Sequence, residues 1–144
     1  MNERITEFIE DQTVATVACI DSEQKPYCFS CFYAFDKEKS LLYFKTSANT
    51  NHVQMLNNNK HVAGTIQPDK LNRLAIKGIQ FTGTVIDTVE QQSNASALYH
   101  KKYPFALAMP GEVWTIQLES IKMTDNTLAF GKKILWSISD PVEV

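Results

Sequence analysis

Two turns set one strand's length apart constrain this chain more than any other feature. TVATVACI, Thr13 to Ile20, is β-branched and strand-like, and DSEQKP, ending at Pro26, has turn composition. YCFSCFYAF, Tyr27 to Phe35, reads as a second strand, DKEKS as a second turn, and a third strand starts near Leu41. Turns at this spacing commit the region to an antiparallel meander.

The remaining segments extend that pattern. Residues 2–11 form a short amphipathic helix with Ile5, Phe8 and Ile9 on one side. After a helix near 51–57 comes the strand HVAGTI, His61 to Ile66, and then the polar loop QPDKLNR. A long strand from Leu74 to about Val89 carries Gly78 and Gly83 as bulges or points of close approach. From Gln91 to Tyr103 the period becomes helical, with Ala95, Leu98 and Tyr99 on one face and Pro104 as the stop. Glu112 to Met123 and Thr127 to Ile138 are strands joined by a tight turn at Asp125 and Asn126. Six or seven strands with two or three helices describe a mainly β chain, a β-barrel with helical attachments.

Composition narrows the class of function. A chain of 144 residues is expected to be one domain, and 44% hydrophobic with 21% charged residues is ordinary for a soluble globular protein. A formal charge of −2 gives no electrostatic reason to expect nucleic acid. Nothing approaches the ~20 apolar residues of a membrane-spanning helix, and MNERITEFIEDQ is too acidic for a signal peptide. Three cysteines are an odd number, which argues against a closed disulfide framework, so a reducing cytoplasm is the expected location.

The segment LLYFKTSANTNHVQML, Leu41 to Leu56, bears most on function. Leu42, Phe44 and Thr46 share one strand face, and Leu41, Tyr43, Lys45 and Ser47 share the other. Ser47, Ala48, Asn49 and Thr50 supply turn and cap chemistry, Asn51 and Gln54 stand at capping-box spacing, and Val53 and Leu56 give the new helix an apolar side. Unpaired amides at a helix start favour an anion, and Thr46, Ser47, Thr50, Asn51 and His52 would join them in a phosphate cradle. The alternative is an ordinary capped helix below a solvated loop.

Other chemistry-bearing residues are weaker candidates. Cys28 and Cys31 lie three apart in a strand, so they point to opposite faces and share neither a bond nor a metal; no metal site is expected. Cys28 shares its face with Ser30 and Phe32 and alone would look into a groove. His61 and His100 show no metal-ligand spacing. Lys132 and Lys133 follow Gly131 within the expected last strand, so one of them faces inward or into a groove, unless both lie on a sheet edge and reach water. A ligand phosphate or an acidic partner would pair the inward one, and Lys132 is the candidate. Trp114 and Trp136 read as core or interface anchors.

The order of these segments resembles the FMN-binding split barrel of the pyridoxamine 5′-phosphate oxidase-like superfamily, over nearly the whole chain. The phrases GIQFTG and TDNTLAFGKK are similar to a small bacterial subfamily of this fold. The resemblance implies a Greek-key split barrel and a homodimer holding a small-molecule ligand, FMN, in a groove between subunits. It places Cys28, Phe29, Ser30, Cys31 and Phe32 along the flavin ring, with Thr46 and Thr50 near the phosphate. Asn51 and His52 stand where flavin-binding members carry a basic pair, and Cys28 stands where many oxidases carry an arginine. Charge-assisted contacts are roughly twice as strong as neutral ones, so the phosphate grip is weakened. The C-terminal substrate-reading signature of the oxidases is not matched either, so pyridoxamine phosphate oxidase activity is not expected. Two readings follow: a flavin-linked oxidoreductase of unassigned substrate, or a non-enzymatic, flavin-free split-barrel protein binding another phosphorylated or planar ligand.

Overall fold

The computed structural model describes residues 1–87, 89–129 and 131–141, with 89–93 described by their backbone course. Seven strands form one sheet among these residues: β1 (Val14–Ile20), β2 (Pro26–Asp36), β3 (Leu41–Thr46), β4 (His61–Ile66), β5 (Lys77–Ile86), β6 (Glu112–Asp125) and β7 (Lys133–Ser137). Their order is β3-β2-β1-β4-β5-β6-β7, and β3 also pairs with β6. That extra pairing closes six antiparallel strands into a barrel and leaves β7 outside as an extension of β6. The expected mainly β barrel is the observed architecture.

Three helices serve the barrel. In α1 (Glu3–Asp11), capped by Asn2, the residues Ile5, Phe8 and Ile9 are buried as the apolar spacing requires. The α1 helix packs where β1 begins, and Tyr33 donates its hydroxyl to Ile9 O at 2.6 Å. At the other end of β1, α2 (Asn51–Asn58) inserts Leu56 into the core and brings Met55 Sδ to 3.7 Å from Cys19 Sγ. The third, α3 (Val89–Lys102), runs into a 3-10 turn (Pro104–Ala108) and lies outside the barrel. There Ala95, Tyr99, Tyr103 and Ala106 cover Ala34, Leu41 and Tyr43 in a second apolar cluster. Both faces of β3 are therefore buried, which is why Leu41, Leu42, Tyr43 and Phe44 are all apolar or aromatic.

Some boundaries differ from those expected. The β5 strand starts at Lys77 rather than Leu74, because Asn72 Oδ1 accepts from Leu74 N at 3.0 Å and folds that stretch into a turn. It ends at Ile86, and α3 begins at Val89; Thr88 lies outside the described residues. Strand β7 starts at Lys133 rather than Thr127. Asp125 Oδ1 accepts from Thr127 N at 2.9 Å and Asn126 Oδ1 from Gly131 N at 2.9 Å, extending the turn through that interval. Trp114 and Trp136 both pack partly buried against the core.

Of the two glycines singled out in β5, one makes a close approach. Pairing passes from Thr82–Ser120 to Gly83–Leu118, leaving Glu119 as an extra residue in β6, and a Cβ on Gly83 would lie 2.6 Å from Gln117 O. A Cβ on Gly78 would meet nothing closer than Ile66 O at 3.8 Å, and no register shift occurs there. Gly83→Ala should therefore lower stability by ~1–3 kcal/mol through overpacking. Gly78→Ala should stay within about 0.5 kcal/mol of wild type. Urea midpoints of the two variants at matched conditions check the contrast.

Candidate functional site

Pairing between β2 and β3 begins at Asp36–Leu41 and stops at Tyr33–Phe44, whereas β1 accompanies β2 all the way to Pro26. Beyond Tyr33, β3 follows β6 instead, as far as Thr46–Glu112. The first part of β2 is thus left with an open edge. Tyr33 N donates to Thr13 O on the β1 side at 3.0 Å, so by alternation the backbone groups of Phe32, Ser30 and Cys28 turn toward that edge.

The gap is a groove of about 370 Å³. Phe29, Ser30, Cys31 and Phe32 form one wall, and Lys45, Thr46, Ser47, Thr50 and His52 form the turn from β3 into α2. Tyr99, Phe105, Ala106, Met109 and Pro110 form the opposite side, with Phe44 at the base. Gly111 follows Pro110 with φ +127°, and a Cβ there would lie 2.6 Å from Thr46 O. Only glycine tolerates both, and it holds this rim against the end of β3.

Within the groove the polar side chains hold one another. His52 lies flat on Phe29, with ring centroids 3.9 Å apart and planes 11° from parallel. Its Nε2 is 2.7 Å from Thr46 Oγ1, and Thr46 Oγ1 is 3.4 Å from Thr50 Oγ1. Thr50 is the N-cap of α2, yet its hydroxyl donates to Ser47 O at 3.2 Å rather than to the helix amides. Asn51 is the first helical residue, and both it and Gln54 are exposed, so the expected Asn51–Gln54 capping box is replaced by a Thr50 cap without a side-chain capping bond. Burial lowers the pKa of His52 below the ordinary imidazole value, favouring the neutral ring.

Phe29, Ser30, Cys31, Thr46, Ser47, Thr50 and His52 are therefore brought together as expected, and three other candidates are not. Cys28 is exposed outside the groove. Instead Cys31, which faces inward, meets the groove because β3 has left its side; burial pushes its thiol up to about 12, which keeps it protonated. Asn51 is exposed and does not line the groove. Lys132 sits in the turn before β7, not within the strand, and both it and Lys133 are exposed, with Lys133 Nζ donating to Thr124 Oγ1 at 3.0 Å. Neither lysine turns inward.

Lys45 and the aromatic side from α3 were missed. Lys45 Nζ donates to Ala106 O at 2.7 Å and lies 3.1 Å from His100 Nε2. The period of β3 places Lys45 outward with Tyr43, but only tertiary packing reveals that α3 covers that face. No group of three His, Cys, Asp or Glu side chains among the described residues could hold a metal ion.

The family model described as pyridoxamine 5′-phosphate oxidase matches residues 1–124. The chain belongs to that family. A UPF0306 protein of Photorhabdus laumondii is 39% identical over 133 residues, covering 92% of each chain. The UPF0306 protein YhbP of Escherichia fergusonii is 36% identical over 140 residues, covering 96% of this chain and 95% of its own. Among solved structures, a heme-binding protein from Mycobacterium smegmatis superposes with a TM-score of 0.76 at 14% identity, over 90% of this chain and 55% of that one. A FAD-binding protein from Mesorhizobium loti gives 0.67 at 13% identity, over 85% and 94%. These neighbours share the pyridoxamine 5′-phosphate oxidase-like split-barrel fold, and at such identities the likeness extends to the fold alone.

The position of His52 has a consequence for stability. The unfolded chain protonates its imidazole at the ordinary value near pH ~6.5, and the folded chain only at lower pH. Between those values the unfolded state binds more protons, so stability falls as pH falls through that window and is fully retained above it. His52→Gln should flatten this acid limb, as thermal midpoints measured from about pH 8 to 5 would record.

Proposed function

We propose that this family member binds FMN in the groove beside β2 and takes part in a flavin-linked redox reaction. The observation that carries the reading is the open edge of β2 running along a groove with apolar walls. Backbone donors and acceptors of Cys28, Ser30 and Phe32 suit the polar edge of a planar ring. Phe29, Phe32, Tyr99, Phe105 and Met109 suit its faces. Thr46, Thr50 and His52 offer hydrogen bonds to a phosphate, so the residues present fit the group, with a weaker grip than a basic pair would give. FMN, when bound, supplies the hydride or electron transfer, and the protein's part is to orient the ring and shield it from water.

A second copy of the chain suits the rim of this groove. Phe32, Phe105, Leu107 and Met109 are 48%, 61%, 71% and 56% exposed. An apolar rim of this kind supports the homodimer reading. The three free cysteines and the lack of any described helix long and apolar enough to cross a membrane suit a cytoplasmic protein.

One observation favours a second reading. His52 is already stacked on Phe29 and bonded to Thr46, and its lowered pKa leaves it neutral at physiological pH. This arrangement suits a flavin-free protein that binds another planar molecule, as the heme-binding structural neighbour does.

Titrating FMN and riboflavin into the purified protein and following flavin fluorescence tests the choice. FMN should be quenched on binding, and Phe105→Ala should weaken both flavins alike, by roughly twofold to tenfold for loss of one aromatic contact worth ~0.5–1.5 kcal/mol. Absence of binding by either flavin would sink the FMN reading and leave the flavin-free one. Light scattering should give about twice the mass of one chain.

A further inference from the structure

Lys45 is the only lysine or arginine lining the groove among the described residues. Its Nζ carries three protons, and two have partners: Ala106 O at 2.7 Å and His100 Nε2 at 3.1 Å. His100 Nδ1 lies 2.8 Å from the carbonyl oxygen of Ser96, which can only accept, so Nδ1 carries the ring proton and Nε2 accepts from Lys45. Both partners of the ammonium are thus neutral. No ion pair among the described residues includes Lys45; those present join Arg4 to Asp125, Lys25 to Glu23 and Lys37 to Glu10. With two of its three protons given to these acceptors, the half-buried ammonium has one N–H left for whatever enters the groove.

We infer that Lys45 supplies the anion-recognising charge of this groove, in place of the basic pair that Asn51 and His52 do not provide. It is a specificity-determining residue that selects planar ligands bearing a phosphate over the same ligands without one. The inference rests on the flavin reading for the identity of the ligand, but not for the existence of the anion subsite. Thr46 and Thr50 line the same groove and add hydroxyl groups to it. His100 acts through Lys45 as a positioning residue, holding the ammonium by its unprotonated nitrogen.

The test is isothermal titration of FMN, riboflavin and inorganic phosphate into wild type, Lys45→Met and Lys45→Arg, at about pH 8 so that histidine charge does not intrude. Wild type should prefer FMN over riboflavin roughly tenfold or more, as a charge-assisted contact requires. Lys45→Met should abolish that preference with riboflavin affinity unchanged, and Lys45→Arg should keep most of it. The wild-type preference should also shrink with added salt, which decides the matter if Lys45→Met does not fold: a preference indifferent to salt overturns the assignment. A preference for FMN that survives in a folded Lys45→Met, or wild type binding both flavins equally, overturns the role of Lys45 and leaves the flavin reading standing. Wild type that binds phosphate but neither flavin, with phosphate lost in Lys45→Met, upholds Lys45 and overturns the flavin reading. Wild type that binds none of the three overturns both.

Discussion

The open edge of β2 is the constraint on which the rest of this structure depends. β2 is eleven residues long and β3 only six, and β3 is claimed from both sides. Up to Phe44 it pairs with β2 and β6 together; beyond that it stays with β6 and turns away into α2. A barrel closed by full-length strands would satisfy every backbone group and leave no groove. Here Cys28, Ser30 and Phe32 present N–H and C=O groups that need partners outside the sheet. The split is therefore both a break in the barrel's pairing and the open edge along which the proposed site lies.

The width of that surface is set from outside the barrel. Tyr103 donates its hydroxyl to Tyr33 O at 2.6 Å, and Lys102 Nζ donates to Tyr33 O at 3.2 Å and to Gln12 O at 3.0 Å. These bonds occupy the carbonyls where β1 has not yet begun beside β2, so the end of α3 is tied to the strand next to the groove. Lys102 lies 5.0 Å above the Tyr33 ring, adding a cation–π contact. Burial lowers the Lys102 pKa, with the carboxylates of Asp69, Asp11 and Glu10 opposing the shift. Tyr33 thus links α1, α3 and the barrel, through its hydroxyl on Ile9 O and its carbonyl under Tyr103. Motion of α3 relative to β2 would widen the groove only by breaking these anchors.

Much of the fold was legible because it is written in local signals. Alternating apolar residues and turn chemistry located β1, β2 and β3, and the spacing of Ile5, Phe8 and Ile9 located the buried side of α1. The errors fell where a side chain bonds its own backbone: Asn72 shortened β5, and Asp125 and Asn126 delayed β7. The site was half legible. Thr46, Ser47, Thr50 and His52 are close in sequence and meet as their order implies. Lys45 was passed over because strand period tells which face a residue takes, not what covers that face. Cys28 failed for the same reason in reverse, since its surroundings are long-range, whereas Lys132 failed because the turn held by Asp125 and Asn126 keeps it out of β7.

The same backbone frame serves a heme-binding and a FAD-binding protein, whose ligands differ in size and charge. An open strand edge has no preference among planar molecules, since any polar rim can meet alternating donors and acceptors. Discrimination must then come from the few side chains that project past the edge. In this chain those are rings on one side and, on the other, a neutral imidazole with three hydroxyls and one ammonium. Neutral donors would bind a phosphate and a carboxylate with little distinction, and at modest strength. The ammonium acts at longer range than the hydroxyls, and its neutral acceptors do not cancel its charge. A single charge set into an otherwise apolar and neutral groove is thus the feature through which the proposed subsite would discriminate among planar ligands.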